Sequence, residues 1–112
     1  MNLEIISLLV RLGCDPSLRG FLVLHDAIRI YMDAFANAEI PRNVYQTLAE
    51  RRGKSCIVIE HNIRSVIESV CNNDMDGHIA DILGTPPDYN SGKYKNLQFI
   101  SLCAFELLRE AK

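Results

Sequence analysis

Apolar residues recur every three or four positions along most of the chain and no segment alternates convincingly with period two, so the pattern predicts helices throughout. Leu3–Leu12 carries apolar side chains at positions 3, 5, 6, 8, 9, 10 and 12 and stops at Gly13, a residue suited to the left-handed conformation just past a helix end. Being apolar on almost every side, this segment is expected to be heavily buried. Asp15, Pro16 and Ser17 form a break. A long helix follows from Leu18 to about Asp33, with Leu22, Leu24, Ala27, Ile28, Tyr31 and Met32 directed at the core, and it reads as the central helix.

Ala34 to Ile40 is a connection, and Pro41 suits the first turn of a third helix, where its missing amide hydrogen is not needed. That helix is short and ends at Gly53. The next carries Cys56, Ile59, Ile63, Val66, Ile67 and Val70 on one stripe, with Glu60, His61 and Arg64 off it. Asn72, Asn73 and Asp74 cap a shorter helix over roughly Met75 to Leu83, which stops at Gly84. The turn-forming run TPPDYNSG from Thr85 to Gly92 is a surface loop. A final helix starts at Asn96 and presents Phe99, Ile100, Leu102, Cys103, Leu107 and Leu108. The expected fold is all-α, a single domain of about six helices over residues 1–112, with a helix-turn-helix at about 42–70. In that motif Ala49 is the small residue that lets the helices approach, Gly53 makes the turn and Ile59 supplies the apolar contact, while Arg52 and Lys54 stand where apolar residues are common.

Composition narrows the function classes. A chain of 112 residues suits one core, and no run of about 18 uncharged apolar residues or cleavage-type leader is present, so a cytoplasmic protein with no membrane partner is expected. Cys14, Cys56, Cys71 and Cys103 are widely spaced in apolar surroundings, which suits free buried thiols better than disulfides or a zinc site. His25 and His78 read as surface or cap residues. No glycine-rich phosphate loop, catalytic-cysteine signature or glycosidase-type carboxylate pair stands out, so neither an enzyme, a cofactor nor a small-molecule substrate is expected. The formal net charge of −2 is uneven. Residues 1–41 hold three basic against five acidic side chains, residues 42–70 five against three, and residues 71–112 four against six, so the positive excess falls on the helix-turn-helix.

Five blocks carry a resemblance that spans about Ile6 to Leu108: LGCDPSLRGFLVLHDAI, LAERRGKS, IEHNIRSVIE, IADILG and NLQFISL. Their order and spacing resemble the C-terminal effector domain of the stage-zero sporulation master regulator family, response-regulator transcription factors of endospore-forming bacteria. The resemblance implies a six-helix domain that binds the major groove of double-stranded DNA through its fourth helix, as a homodimer or tandem pair, in the bacterial nucleoid. Such regulators also carry a phospho-accepting receiver domain, which does not fit beside this one in 112 residues. The chain is thus expected to be a stand-alone relative or a fragment, and Met1 favours the former.

The family pattern for the reading helix, a Glu followed directly by Arg and then a second Arg three residues on, falls here on Glu60, His61 and Arg64. A carboxylate accepts from the cytosine amino group and an Arg fork bridges the two acceptors of guanine. His61 departs from the pattern, since imidazole is shorter than guanidinium and offers one donor where Arg offers a fork. Lys54 and Ser55 at the turn are expected phosphate contacts, against a solvated turn with Ser55 as helix cap. Lys93 and Lys95 match a lysine-bearing loop of the family near the DNA backbone, against ordinary solvent-facing lysines. Arg51 and Arg52 read as solvent charges. Ile57 and Val58 replace the polar and basic residues that normally open such a helix. They contact thymine methyl groups, pack against another protein or lie under a loop, the last two being favoured. The leading function is a sequence-specific DNA-binding transcription regulator. The alternative is a protein-interaction module of the same fold with weak or lost DNA binding, motivated by Ile57, Val58 and the acidic balance.

Overall fold

The computed structural model describes residues 1–74 and 76–111. Among them are six α-helices and no strand: α1 (Leu3–Leu12), α2 (Phe21–Ala36), α3 (Val44–Arg52), α4 (Cys56–Asn72), α5 (His78–Leu83) and α6 (Asn96–Glu110). The all-α, six-helix expectation therefore holds. Helix α2 is the hub, packing most extensively on α6 and also on α1, α3 and α4. The core is built from Leu24, Ile28, Leu48, Ile59, Ile63, Ile67, Phe99 and Ile100, all almost wholly withdrawn from water. Each large aliphatic side chain buried in this way stabilises the fold by about 1.5–3 kcal/mol before the entropy cost of ordering the chain.

Several element boundaries move, each for a local reason. Helix α2 begins at Phe21 because Leu18–Gly20 is a turn, closed by the Phe21 amide on the Leu18 carbonyl at 3.0 Å. Helix α3 begins at Val44, not at Pro41, because Asn43 adopts a left-handed conformation with φ 54° and interrupts the helical path just before it. Left-handed Gly77 likewise delays α5 to His78. The expected start of that helix at Met75 lies outside the described residues, but Asp74 does cap it, its carboxylate accepting from the Ile79 amide at 3.3 Å.

Two expectations of burial are also corrected. Helix α1 buries only the face carrying Ile5, Leu8, Leu9 and Leu12, and leaves Leu3 and Val10 exposed, because it packs at the edge of the bundle with neighbours on one side. Leu22 of α2 is exposed for the same kind of reason, while its neighbour Val23 takes a buried position.

At the start of α2 the chain runs hard against α4. A Cβ placed on Gly20 would stand 2.0 Å from the backbone carbonyl oxygen of Asn62 and 2.9 Å from Val66 Cγ2, so any larger residue forces the two backbones apart. Gly20 has an ordinary helical φ of −83°; what it supplies is space. By this contact α4 is seated directly on the hub.

Candidate nucleic-acid interface

Helices α3 and α4 form the helix-turn-helix. Gly53 ends α3 in the left-handed conformation, φ 63° and ψ 36°, and its amide and that of Lys54 both turn back onto the Ala49 carbonyl. Ser55 then adopts extended backbone and caps α4, its Oγ accepting from the Val58 amide at 3.2 Å. Accepting this bond leaves the Ser55 hydroxyl hydrogen free to be donated outward. Ala49 is buried, as close packing of two helices requires.

The inner face of α4, Ile59, Ile63, Val66, Ile67 and Val70, is buried. Its first turn is a different matter: every residue from Glu50 to Val58 is exposed, so the turn projects beyond the body of the bundle. This corrects the placement of Cys56 on the buried stripe. It has the right period but no neighbouring helix to pack against, and it is an exposed thiol. Cys14 and Cys103 are buried, and burial pushes the Cys14 thiol up to about 12 and the Cys103 thiol well above its ordinary value, so both remain protonated. Cys71 is half-buried.

Glu60, His61 and Arg64 emerge together on the outer face. With Ile57 they line an open groove of about 270 Å³ running along α4. Arg64 Nη2 donates to Glu60 Oε1 at 3.0 Å, both side chains being about half exposed, so the pair is a surface i,i+4 bridge rather than an internal lock. An exposed bridge of this kind contributes about 0.3–0.5 kcal/mol and is readily exchanged for a better partner. Ile57 and Val58 are 77% and 41% exposed, and no loop covers Ile57.

A second, larger cleft of about 630 Å³ separates α4 from the 85–95 loop. Glu60 and Arg64 border it on one side, Lys93 and Lys95 on the other, with Tyr45 and Asn96 between them. Its geometry is held by one bond within the loop and one between distant elements. The Tyr94 hydroxyl donates to the Thr85 carbonyl at 2.6 Å, closing the loop, and Asn96 Nδ2 donates to the Glu60 carbonyl at 3.3 Å, joining the start of α6 to α4. Lys93 lies 3.8 Å from Glu68, a distant surface pairing, and Lys95 immediately precedes α6 with its amide donating to Gln98 Oε1. Lys54 and Ser55 share neither the groove nor the cleft but stand at the projecting turn.

The basic excess of the helix-turn-helix is partly consumed internally. Arg52, read as a solvent charge, donates from Nη2 to Asp26 Oδ2 at 2.7 Å, tying the end of α3 to α2. His25, read as a surface or cap residue, is instead buried. Its Nδ1 pairs with Asp26 Oδ1 at 2.8 Å and its Nε2 accepts from the Asn2 amide at 3.0 Å. Burial pushes the Asp26 carboxyl up, but the hydrogen bonds from Arg52 and His25 and the charge of Arg52 outweigh it and hold the group below the usual carboxylate range. His25 follows Phe21 by four positions and precedes Ile28 by three, at the edge of the buried face of α2, and the arrival of the chain start above it closes the site. His78 is exposed and donates from Nε2 to the Arg11 carbonyl at 2.7 Å, a cap for the end of α1. Arg51 and Lys54, at the turn, and Arg42, before the start of α3, make no ion pair among the described residues and are exposed.

Among the described residues no three His, Cys, Asp or Glu side chains come together to hold a metal ion, and no helix is long and apolar enough to cross a membrane. A comparison with curated proteins gives no match. Residues 5–107, nearly the whole chain, match the family described as Sporulation initiation factor Spo0A C terminal, a family of helical DNA-binding effector domains and not of enzymes. A helix-turn-helix with its second helix exposed on one face, seated in a six-helix bundle and matched from end to end by that family, makes this chain a member of the Spo0A C-terminal family.

Proposed function

We propose that the chain is a single effector-type domain that regulates sporulation-related transcription by sequence-specific binding of double-stranded DNA, with α4 in the major groove. One observation carries the reading: Glu60, His61 and Arg64 project together from the outer face of a helix whose inner face is fully committed to the core. Glu60 accepts from a base amino group, Arg64 exchanges its surface bridge to Glu60 for the acceptors of a guanine, and His61 contributes a single shorter-reaching donor. Lys54, the Ser55 hydroxyl and, across the cleft, Lys93 and Lys95 hold phosphates on either side. Two copies on adjacent half-sites would double this modest footprint. The bound protein would reside with the bacterial chromosome in the cytoplasm.

The test is fluorescence anisotropy on a duplex carrying a sporulation-type regulatory site and on a scrambled duplex, each across a salt series. The first should bind more tightly, with log Kd rising linearly with log salt, and replacing Lys54 or Lys93 by Gln should lower that slope by about one each while weakening both duplexes alike. Equal, micromolar-or-weaker binding to both overturns the reading. The alternative, an interaction module with weak or lost DNA binding, is favoured by a separate patch, where Phe105 stands 53% exposed beside Leu102, Leu108 and Phe35 on α6 and α2.

A further inference from the structure

Ile57 is the most exposed aliphatic side chain of α4, and the fold gives it nothing to pack on. Its position is nevertheless not arbitrary. It precedes Glu60, His61 and Arg64 by three, four and seven residues, the spacing that places all four on one helical face, and these four residues line the groove along α4. Anything that seats on Glu60 and Arg64 also covers Ile57. Val58, one position on, does not line this groove.

The surroundings limit what that occupant can be. Exposed Arg51 and Lys54 stand at the adjoining turn with no ion-pair partner among the described residues, and the first turn of α4 holds no acidic residue, the nearest on its face being Glu60, which is paired with Arg64. An apolar protein surface covering Ile57 would strand these cations. A DNA major groove meets both demands at once, with phosphates along its rim and one apolar group on its floor, the C5-methyl of thymine.

Resting on the reading of α4 as the DNA-reading helix, we infer that Ile57 is a specificity-determining residue that selects a thymine by contact with its C5-methyl, next to the bases read by Glu60 and Arg64. The side chain is short, so the contact is made with the first turn of α4 inserted into the groove, the longest unbroken exposed stretch of that helix.

The experiment uses the tightest duplex that the whole chain recovers from a randomised pool. Each thymine of that duplex is replaced in turn by deoxyuridine, which removes only the methyl group. At one thymine per half-site the substitution should weaken binding about fourfold, the worth of one methyl-sized group withdrawn from water. Ile57→Ser should weaken binding to the thymine duplex by a similar factor, show no further penalty with deoxyuridine at that position, and keep the wild-type urea midpoint. If deoxyuridine is tolerated at every position, or its penalty persists unchanged in Ile57→Ser, the inference falls while selective DNA binding stands. If Ile57→Ser leaves DNA affinity intact, the side chain serves some other partner and the inference falls in the same way. If the pool yields no preferred sequence, the reading of α4 and the inference fall together.

Discussion

On the inner face of α4, Ile59, Ile63, Val66, Ile67 and Val70 keep 2% or less of their surface, while on the outer face of the same helix Ile57 keeps 77% and stands in line with Glu60, His61 and Arg64. Isoleucine occurs on both faces, so residue type alone does not separate them; what separates them is whether a neighbour arrives. The inner side chains are fixed by close packing, in which even a methylene is felt. The outer ones are held by nothing beyond the exposed Glu60–Arg64 bridge. Departures from the expected reading-helix pattern gather on that outer face and at its projecting start, where the bundle tolerates any side chain and only a partner discriminates among them.

The contrast can be broken hardest from the inner side. Gly20→Ala drives a Cβ into the Asn62 carbonyl and should cost about 3 kcal/mol, read as a fall in the urea midpoint, with DNA affinity lost only as far as the protein unfolds. An unchanged midpoint would mean that α4 is not seated on α2 as closely as described. From the outer side the signature reverses. Arg64→Ala removes an exposed bridge and should change stability by less than about 0.5 kcal/mol, yet weaken binding to the preferred duplex by about tenfold or more and relax the preference at one base. A loss of stability larger than its loss of binding would place Arg64 with the scaffold.

The smallest effect tests a residue between the two regimes. Asp26 supports the helix-turn-helix from outside it, through Arg52, and its carboxyl is held below the usual range. A carboxyl depressed in the folded state adds stability above its ordinary pKa near 3.8, and that stability is lost as the pH falls from there through the folded value. Asp26→Asn should therefore lower stability slightly at neutral pH, by under about 1 kcal/mol for so solvent-screened a pair, read as a small fall in the urea midpoint, and the gap to wild type should close on acidification. A gap that persists undiminished below that range would show that the side chain acts by packing, not charge.

Much of the scaffold was legible beforehand because burial repeats with the helix and leaves its period in the sequence. The six helices, the turn at Gly53 and the final helix at Asn96 follow from that period and from residues suited to helix ends. The starts of α3 and α5 were not legible, since they depend on left-handed backbone at Asn43 and Gly77 rather than on any alternation of side chains. Gly20 gave no signal either: a glycine required for space looks like a glycine required for nothing until the carbonyl of Asn62, 42 positions later, is set against it. Cys56 shows the converse error, having the period of a core residue at a helical turn with no neighbour.

The interface divides along the same line. That Glu60, His61 and Arg64 share a face, and that Ser55 precedes the helix as a cap, is local geometry, and local geometry is written in spacing. That Arg52 is spent on Asp26, that His25 is closed over by the chain start, and that Lys93 and Lys95 face Arg64 across a cleft depends on segments 23 to 31 residues apart. The sequence by itself determined which residues form helices and which face of each is apolar, because those properties are set within a few residues. Which charges stay available, which apolar residues find cover and which remain to meet a partner was decided only by the tertiary structure, because burial and ion pairing belong to contacts that no short stretch of chain contains.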